Sequence, residues 1–296
     1  MSDENHFGDA SIDRRLLMAL LALGAAAPGA AAAQSQMGRI DPTGSAGDST
    51  TPMGVDHAAH SPPQPGPRPK VAMVVYPDMV MLDLVGPSTC LKIAQCDIEF
   101  VWKTKTPCMT DAGIPVTPTM TFSECPRNVD VLFVPGGIIG TTACMNDPEV
   151  LAFLADCGQH ARYVTSVCTG SLVLAAAGLL KGYRSTSLWA VVPLLADMGA
   201  IPSMDRVVVD RNRMSGGGVT AGLDFGLTLV AALRDEETAR RVQLFLQYAP
   251  EPPFHAGMPA GAGPELTAKV LKSREGMDAG AKLAARAAGK RLGVLS

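Results

Sequence analysis

The feature that most constrains this chain is a regular alternation of short apolar runs and helical segments between residues 70 and 250. Residues 71–76 (VAMVVY) form an all-apolar run ended by a proline, as in a strand buried on both faces of a sheet. Further strands are expected at 98–103, 129–134 and 162–166. The alternation predicts one doubly wound α/β domain, in which ligands bind at the carboxyl ends of the strands.

Helix signals lie between and after these strands. Pro87 is expected at the first position of a helix with Gly86 as its N-cap, and Asp147 is expected to cap a helix at 148–157. The remaining helices are expected at 171–180, 189–198, 220–233 and 236–248.

The first 33 residues have the layout of an export signal. Asp13-Arg14-Arg15 precede an apolar run at 16–27, and small residues in an A-x-A pattern end at Ala33. Because such a run rises only about 18 Å as a helix, it is too short to cross a bilayer core of about 30 Å. The paired arginines resemble a twin-arginine signal. We therefore expect a periplasmic mature protein without stable membrane insertion after cleavage, or a cytoplasmic one if this segment is not a functional signal. An uncleaved N-terminal anchor and a mispredicted start codon are the alternatives.

Two segments flank the expected catalytic domain at 70–254. Residues 34–69 are rich in Pro, Gly, Ser and Thr without periodicity and are expected to form a disordered linker. Residues 255–296 are expected to be a linker followed by a basic helix from 265 to 291, most simply a solvated tail, or alternatively a weak contact for an anion.

Charge and cysteine usage narrow the function classes. With 25 Lys and Arg against 28 Asp and Glu, the net charge of −3 gives no reason to expect a nucleic-acid partner. Nowhere in the core do His and Cys cluster at metal-ligand spacing, so neither a metal nor another cofactor is expected. The seven cysteines are an odd number, so at least one thiol has no intrachain partner.

Cys168 lies at the turn between an expected strand and an expected helix of small, apolar residues. Gly170 follows two residues later, and the arrangement resembles a nucleophile elbow. The positive end of the helix is expected to lower the pKa of the thiol below about 8.5. The other cysteines lack this context and are expected to be buried and unreactive, although some could pair in an exported protein: Cys90, Cys96, Cys108, Cys125, Cys144 and Cys157.

Three further motifs surround strand ends. Gly136 and Gly137 follow a strand directly, and their N–H groups are expected to form a cradle for an anion or oxyanion, with a plain turn as the alternative. Asp83 stands among apolar residues, where a buried carboxyl would have a raised pKa and could carry a proton, or could instead bond loop amides. Glycines 216–218 precede a helix and indicate close approach of backbone to a neighbour or ligand.

Taken together, these motifs resemble the DJ-1/PfpI superfamily over residues 70–255, and within it the isonitrile (isocyanide) hydratases. The matching strings are LDLVGP (82–87), VPGG (134–137), RYVTSVCTGSLVLAAAGLL (162–180), GGGVTAGLDFGLTL (216–229) and RVQLFLQYAPEPPF (241–254). The resemblance implies a flavodoxin-like three-layer sandwich with a mostly parallel sheet, as in class I glutamine amidotransferases, and a homodimer. It also implies Cys168 as nucleophile, Asp83 as acid/base and Thr169 as a supporting hydroxyl.

One position departs from the pattern. The hydratases have His where this chain has Leu188, so Leu188, with Gly217 and Gly218, is expected to shape the pocket. This departure is expected to alter the range of small-molecule substrates or to weaken activity.

The leading hypothesis is hydration of an isonitrile to an N-substituted formamide through a thioimidate on Cys168. The alternatives are glyoxalase-like carbonyl hydration and a non-catalytic periplasmic module for redox sensing or ligand binding. A transcription regulator ranks last, because only 46 residues follow position 250.

Overall fold

A seven-stranded sheet forms the centre of the protein. The computed structural model describes residues 66–296, so the expected export signal and most of the linker lie outside the described residues. The strand order is β10-β11-β7-β6-β1-β2-β5, and every pairing is parallel except β10 with β11. These strands are β1 (Lys70–Val74), β2 (Asp97–Trp102), β5 (Met120–Thr121), β6 (Val131–Val134), β7 (Tyr163–Val167), β10 (Val207–Asp210) and β11 (Arg213–Gly216).

Two short ribbons lie outside this sheet. One pairs β3 (Cys108–Met109) with β4 (Pro115–Val116), and the other pairs β8 (Arg184–Ser185) with β9 (Ile201–Pro202).

The helices form two layers, one on each face of the sheet. Helices α1 (Met81–Ile93), α6 (Ala221–Leu233) and α7 (Glu236–Phe245) pack against one another. The other layer contains α2 (Ile138–Met145), α3 (Pro148–His160), α4 (Gly170–Ala176), α5 (Leu194–Asp197) and α8 (Pro259–Arg291). The expected flavodoxin-like three-layer α/β sandwich is therefore confirmed.

The start of α1 differs from the sequence prediction. The helix begins at Met81 rather than at Pro87, which lies inside it. The N–H of Met81 donates to Oδ1 of Asp111 (2.9 Å), so the cap comes from a distant loop. Pro87 is tolerated because it packs against Gly222 of α6, where a Cβ would lie 3.3 Å from the proline ring. Tertiary contacts thus offset the helix bond that proline removes.

Other boundaries also differ. Only Leu194–Asp197 of the expected helix at 189–198 is α-helical, and β10 and β11 were not expected. By contrast, Asp147 caps α3 as predicted, since its side chain accepts the N–H groups of Glu149 (3.0 Å) and Val150 (3.3 Å).

The final helix is not a solvated tail. It begins at Pro259, kinks at Gly263 (φ 76°) and runs to Arg291. Four alanines spaced i, i+3, i+4 and i+7 are buried against the helices of its layer: Ala281, Ala284, Ala285 and Ala288. The expectation of a solvated tail is wrong because a narrow stripe of alanines lets the helix pack closely. The long charged side chains remain on its outer face.

Strand register brings the chemically important segments together. Val134, the last residue of β6, pairs with Ser166 of β7, and Val167 pairs with Gly216 of β11. The segments that follow these strands therefore emerge side by side at one edge of the sheet. None of the helices in residues 66–296 is long and apolar enough to cross a membrane.

Candidate active site

Cys168 occupies a tight turn between β7 and α4. Its φ of 56° lies in the left-handed region, which non-glycine residues rarely adopt. Its N–H donates to the carbonyls of Gly216 (3.0 Å) and Gly217 (2.7 Å), and its carbonyl accepts the Ser187 hydroxyl (3.0 Å). The unusual backbone is therefore held by β11 and the loop before α5, as expected for a nucleophile elbow.

Asp83 lies beside Cys168 and is fully buried. One carboxyl oxygen, Oδ2, accepts the N–H of Gly136 (2.9 Å), whereas Oδ1 accepts no hydrogen bond from the described residues. Burial raises the pKa of Asp83 to about 7, although the Gly136 N–H and the Cys168 thiol both act to lower it. The carboxyl group is therefore poised to take up or release a proton near neutral pH, as predicted.

The prediction of a lowered thiol pKa at Cys168 is wrong. Burial, followed by the nearby charge of Asp83, raises the pKa of this thiol well above its usual value. The N–H of Thr169 and the more distant guanidinium of Arg274 oppose this shift but do not overcome it. Desolvation exceeds the helix-dipole effect here because α4 has only seven residues and the sulfur lies in a closed, apolar environment. Burial therefore favours the protonated thiol over the thiolate.

The two glycines after β6 do not offer free N–H groups, contrary to expectation. Gly136 donates to Asp83, and Gly137 donates to Oγ1 of Thr169 (2.9 Å). A side chain at Gly136 would place Cβ 2.6 Å from Asp83 Oδ2 and 2.7 Å from Cys168 Cβ. The turn therefore positions the acid and the threonine, and glycine is needed because the backbone lies against both.

Thr169 begins a chain of hydroxyl groups whose direction is fixed. Tyr76 Oη donates to the Pro135 carbonyl (2.6 Å), so the Thr141 hydroxyl donates to Tyr76 (3.2 Å) and the Thr169 hydroxyl donates to Thr141 (2.8 Å). Since a hydroxyl has one proton, the Thr169 proton is already used. Thr169 therefore orients the Gly137 turn and has no proton free for a substrate in this arrangement.

The residues expected to shape the pocket adjoin the elbow. Gly217 accepts the Cys168 N–H and donates its own N–H to the Arg206 carbonyl (2.9 Å). A Cβ at Gly218 would meet Leu188 Cδ1 at 3.4 Å, so Leu188 and Gly218 are neighbours. Leu188 is half-buried and follows Ser187, which holds the elbow carbonyl.

Sequence reasoning missed several contributors to the site. Tyr76 and Thr141 support Thr169, Ser187 supports Cys168, and Arg274 acts on the thiol from α8. The hydroxyl residues carry no local motif, whereas the proline just after Tyr76 marks the end of β1 and could have drawn attention to it. Within residues 66–296, no three His, Cys, Asp or Glu side chains cluster closely enough to hold a metal ion.

Chemically, the site pairs a weakly acidic, polarisable nucleophile with a carboxyl group that can exchange protons near pH 7. Fixed backbone contacts hold both groups in a region closed to bulk water. Such a pair can add a thiol across an electrophilic carbon and then release the product by hydrolysis.

Comparison with known proteins agrees with this geometry. The profile of the DJ-1/PfpI family matches residues 69–232, more than half of the chain. The chain is 48% identical to the isonitrile hydratase of Pseudomonas putida over 191 residues, which cover 64% of this chain and 83% of that protein.

Comparison with solved structures also finds proteins of the DJ-1/PfpI type. A THiJ/PfpI family protein from Pseudomonas syringae has a TM-score of 0.72 at 46% identity, covering 76% of this chain and 98% of that one. A DJ-1 superfamily protein from Salmonella typhimurium, solved as a cysteine-to-alanine mutant, has a TM-score of 0.55 at 27% identity, covering 61% and 99%. By profile, sequence and fold, the chain belongs to the DJ-1/PfpI family.

Proposed function

We propose that this protein hydrates isonitriles to N-substituted formamides through a covalent thioimidate on Cys168. The observation that carries the proposal is the buried pair of Cys168 and Asp83, in a chain 48% identical to an isonitrile hydratase. An isonitrile has a terminal carbon that accepts both a nucleophile and a proton, and the pair supplies one of each.

The first step adds the thiol across the terminal carbon of R–N≡C. Because the resting sulfur is protonated, the Asp83 carboxylate takes the thiol proton as sulfur attacks, and then delivers it to the same carbon. Oδ1 has no hydrogen-bond partner among the described residues, so the carboxylate keeps one oxygen free to accept a proton. The product is the thioimidate Cys168–S–CH=N–R, with no atom lost or gained.

The second step consumes one water. Asp83, again ionised, removes a proton from water as the water oxygen attacks the thioimidate carbon, and it passes that proton to the imine nitrogen. The tetrahedral intermediate then expels the thiol and forms the carbonyl of R–NH–CHO. The leaving thiol regains its proton, so both residues return to their starting states.

Incubation of the purified protein with cyclohexyl isocyanide tests the proposal. We expect N-cyclohexylformamide by mass spectrometry, and no product from Cys168→Ala. During turnover, acid quenching is expected to trap the wild-type chain with the mass of one substrate added at Cys168. Absence of formamide with Cys168 shown to be reduced would contradict the proposal.

Hydration of a reactive carbonyl is the second enzymatic candidate. It shares the nucleophile, so the same preparation is assayed with methylglyoxal. Cys168-dependent loss of methylglyoxal without formamide formation would favour this candidate. Failure with both substrates, together with Cys168 isolated as a sulfinic acid, would favour a non-catalytic redox module.

We also propose that Leu188 sets the substrate range. Leu188 lies against Gly218 beside the elbow, where it offers an apolar surface. Leu188→His is expected to raise KM for cyclohexyl isocyanide about 3- to 10-fold with a smaller effect on kcat, because apolar contact is lost. A larger effect on kcat than on KM would mean that the position acts on the reaction step.

Export by a twin-arginine signal and assembly as a homodimer complete the proposal. Large apolar side chains that are exposed at the end of α7 and in the segment after it support the dimer. Examples are Leu244 and Phe254, which are 81% and 78% exposed. Intact-mass measurement of the protein recovered from the native host reports the cleavage site, and light scattering reports the oligomeric state.

A further inference from the structure

A loop on the far side of the sheet from α1 lies along α3 through a series of side-chain contacts. Phe122 stacks on Phe153 with ring centroids 4.2 Å apart and planes 8° from parallel. Arg127 pairs with Asp156, with Nε and Oδ2 2.5 Å apart, and its guanidinium lies 5.3 Å from the Phe153 ring centroid. Because residues 153 and 156 share a face of α3, these contacts fix the loop at both of its ends.

Two cysteines face each other between these contacts. Cys125 lies in the loop, where its thiol donates to the Pro126 carbonyl (3.6 Å), and Cys157 lies on α3, one residue beyond Asp156. The two thiols are close enough for each to shift the pKa of the other. Cys157 is fully buried and Cys125 is 5% exposed. All seven cysteines of the chain lie within the described residues and are free, and this is the one pair among them in which each thiol shifts the pKa of the other.

The two thiols are not equivalent. The Cys157 thiol and the Arg127 guanidinium lower the pKa of Cys125 against the effect of its burial, whereas the contact with Cys125 and burial raise the pKa of Cys157. Cys125 also lies nearer the surface, and the adjacent Arg127 guanidinium, which donates to the Cys125 carbonyl (3.0 Å), favours its thiolate. Cys157 lies deeper in the fold, where it can act as the resolving thiol that attacks a mixed disulfide on Cys125.

We propose that Cys125 and Cys157 form an oxidative modification site, at which an intramolecular disulfide forms when the folded protein meets a disulfide-bearing oxidant. The Cys125 thiolate attacks one sulfur of the oxidant, whose S–S bond breaks and releases one thiol. Cys157 then loses its proton and attacks Cys125 Sγ, releasing the second thiol of the oxidant. Two protein thiols become one disulfide, and the oxidant takes up the two electrons and two protons.

The bond would enclose the part of the chain that builds one side of the active site. Residues 126–156 contain β6, the Gly136–Gly137 turn and Thr141. A cross-link across this segment restrains the unfolded chain and stabilises the folded one. The inference does not depend on the reaction catalysed at Cys168, and its test uses no isonitrile.

Oxidation of the full-length protein with a glutathione redox buffer tests the inference. After free thiols are alkylated, digestion with trypsin and a glutamyl endopeptidase leaves Cys125 in peptide 125–127 and Cys157 in peptide 150–162, each as its only cysteine. We expect these peptides joined, with a mass lower by two hydrogens than their sum. The thermal unfolding midpoint is expected to be about 5 to 10 °C higher in the oxidised protein than in the reduced one.

Matched variants separate this bond from other oxidation. Cys125→Ser and Cys157→Ser are each expected to abolish the cross-link and the shift in midpoint. Cys108→Ser, at another buried cysteine in the same tryptic fragment, is expected to retain both. Recovery of both peptides as alkylated thiols, even after unfolding and refolding in the same redox buffer, would overturn the inference. So would a cross-link from Cys125 to any other cysteine.

Discussion

At the scale of single residues, the behaviour of the site depends on the protonation state of one buried carboxyl group. The pKa of Asp83 is raised to about 7, and the proposed first step requires its ionised form. We expect kcat/KM for isonitrile hydration to rise about tenfold per pH unit below pH 7 and to level off above it. A pH profile that is flat between pH 5 and 7 would exclude Asp83 as the base.

Asp83→Asn isolates the proton transfer, since an amide oxygen can still accept the Gly136 N–H. We expect kcat/KM to fall about 10²- to 10⁴-fold because the thiol loses its base. Near-ultraviolet circular dichroism serves as the control for folding. A variant that remains fully active would move the acid/base role to another group.

The same substitution makes a prediction about stability with a definite sign. The pKa of Asp83 is higher when folded than its ordinary value of 3.8, so the folded state binds the proton more tightly. The stabilisation that the folded state gains by holding this proton is fully present below about pH 4. It is lost as the pH rises through about 7. Asp83→Asn is therefore expected to raise the free energy of unfolding by about 4 kcal/mol at pH 8 and by less than about 1 kcal/mol at about pH 4. Urea denaturation at both pH values measures the difference.

Sequence alone could locate the two central residues of the candidate site but not their electrostatic state. Cys168 and Asp83 stand out because a thiol at a strand-to-helix turn and a carboxyl among apolar residues both require explanation. The direction of the Cys168 pKa shift could not be predicted, since it depends on how completely the folded chain closes around the sulfur. Tyr76 and Thr141 escaped detection because they join Thr169 only when β1, α2 and the elbow pack together.

At the scale of secondary-structure elements, the turn after β6 tolerates no side chain. At Gly136, a Cβ would overlap Asp83 Oδ2, Cys168 Cβ and the Thr169 nitrogen, all within 2.7 Å. Because of these overlaps, Gly136→Ala is expected to lower the free energy of unfolding by about 2 kcal/mol or more. Its activity is expected to fall at least about 100-fold.

Gly276→Ala is the matched control for that substitution. Gly276 lies in α8, and a Cβ added there would have no heavy atom within 4 Å, so alanine is expected to stabilise the protein by about 0.5 to 1 kcal/mol. Denaturant titration compares the two variants. Equal effects would mean that glycine at 136 is not required for close packing.

Apolar runs predicted β1, β2, β6 and β7 well because buried parallel strands have a continuous hydrophobic pattern. The same rule could not find β11, whose sequence RMSG takes its place through pairing with β7. The start of α1 was missed for a related reason, since Asp111 caps it from a loop thirty residues away.

At the scale of the whole molecule, the C-terminal helix is part of the folded domain. Ala285 is fully buried and Ala287 is exposed on the same helix. Ala285→Glu is expected to lower the free energy of unfolding by about 3 kcal/mol or more, because a charge would be buried without a partner. Ala287→Glu is expected to change it by less than about 0.5 kcal/mol.

Chemical denaturation of the two variants checks this prediction. Similar unfolding curves would mean that α8 is only loosely attached. The alanine spacing was available in the sequence, but alanine is only weakly hydrophobic and the surrounding charges obscured the stripe.

The closure around Cys168 also has a consequence for what can reach it. Cys168 is only 3% exposed, so a molecule that is narrow at its reacting end needs the least rearrangement of the surrounding side chains to reach the sulfur. The terminal carbon of an isonitrile is bonded only to its nitrogen and forms the end of a linear group. A ketone carbon carries two substituents, so the molecule is much wider at its reacting carbon. Under the proposed function, this closure would favour slender electrophiles over broad ones by shape alone.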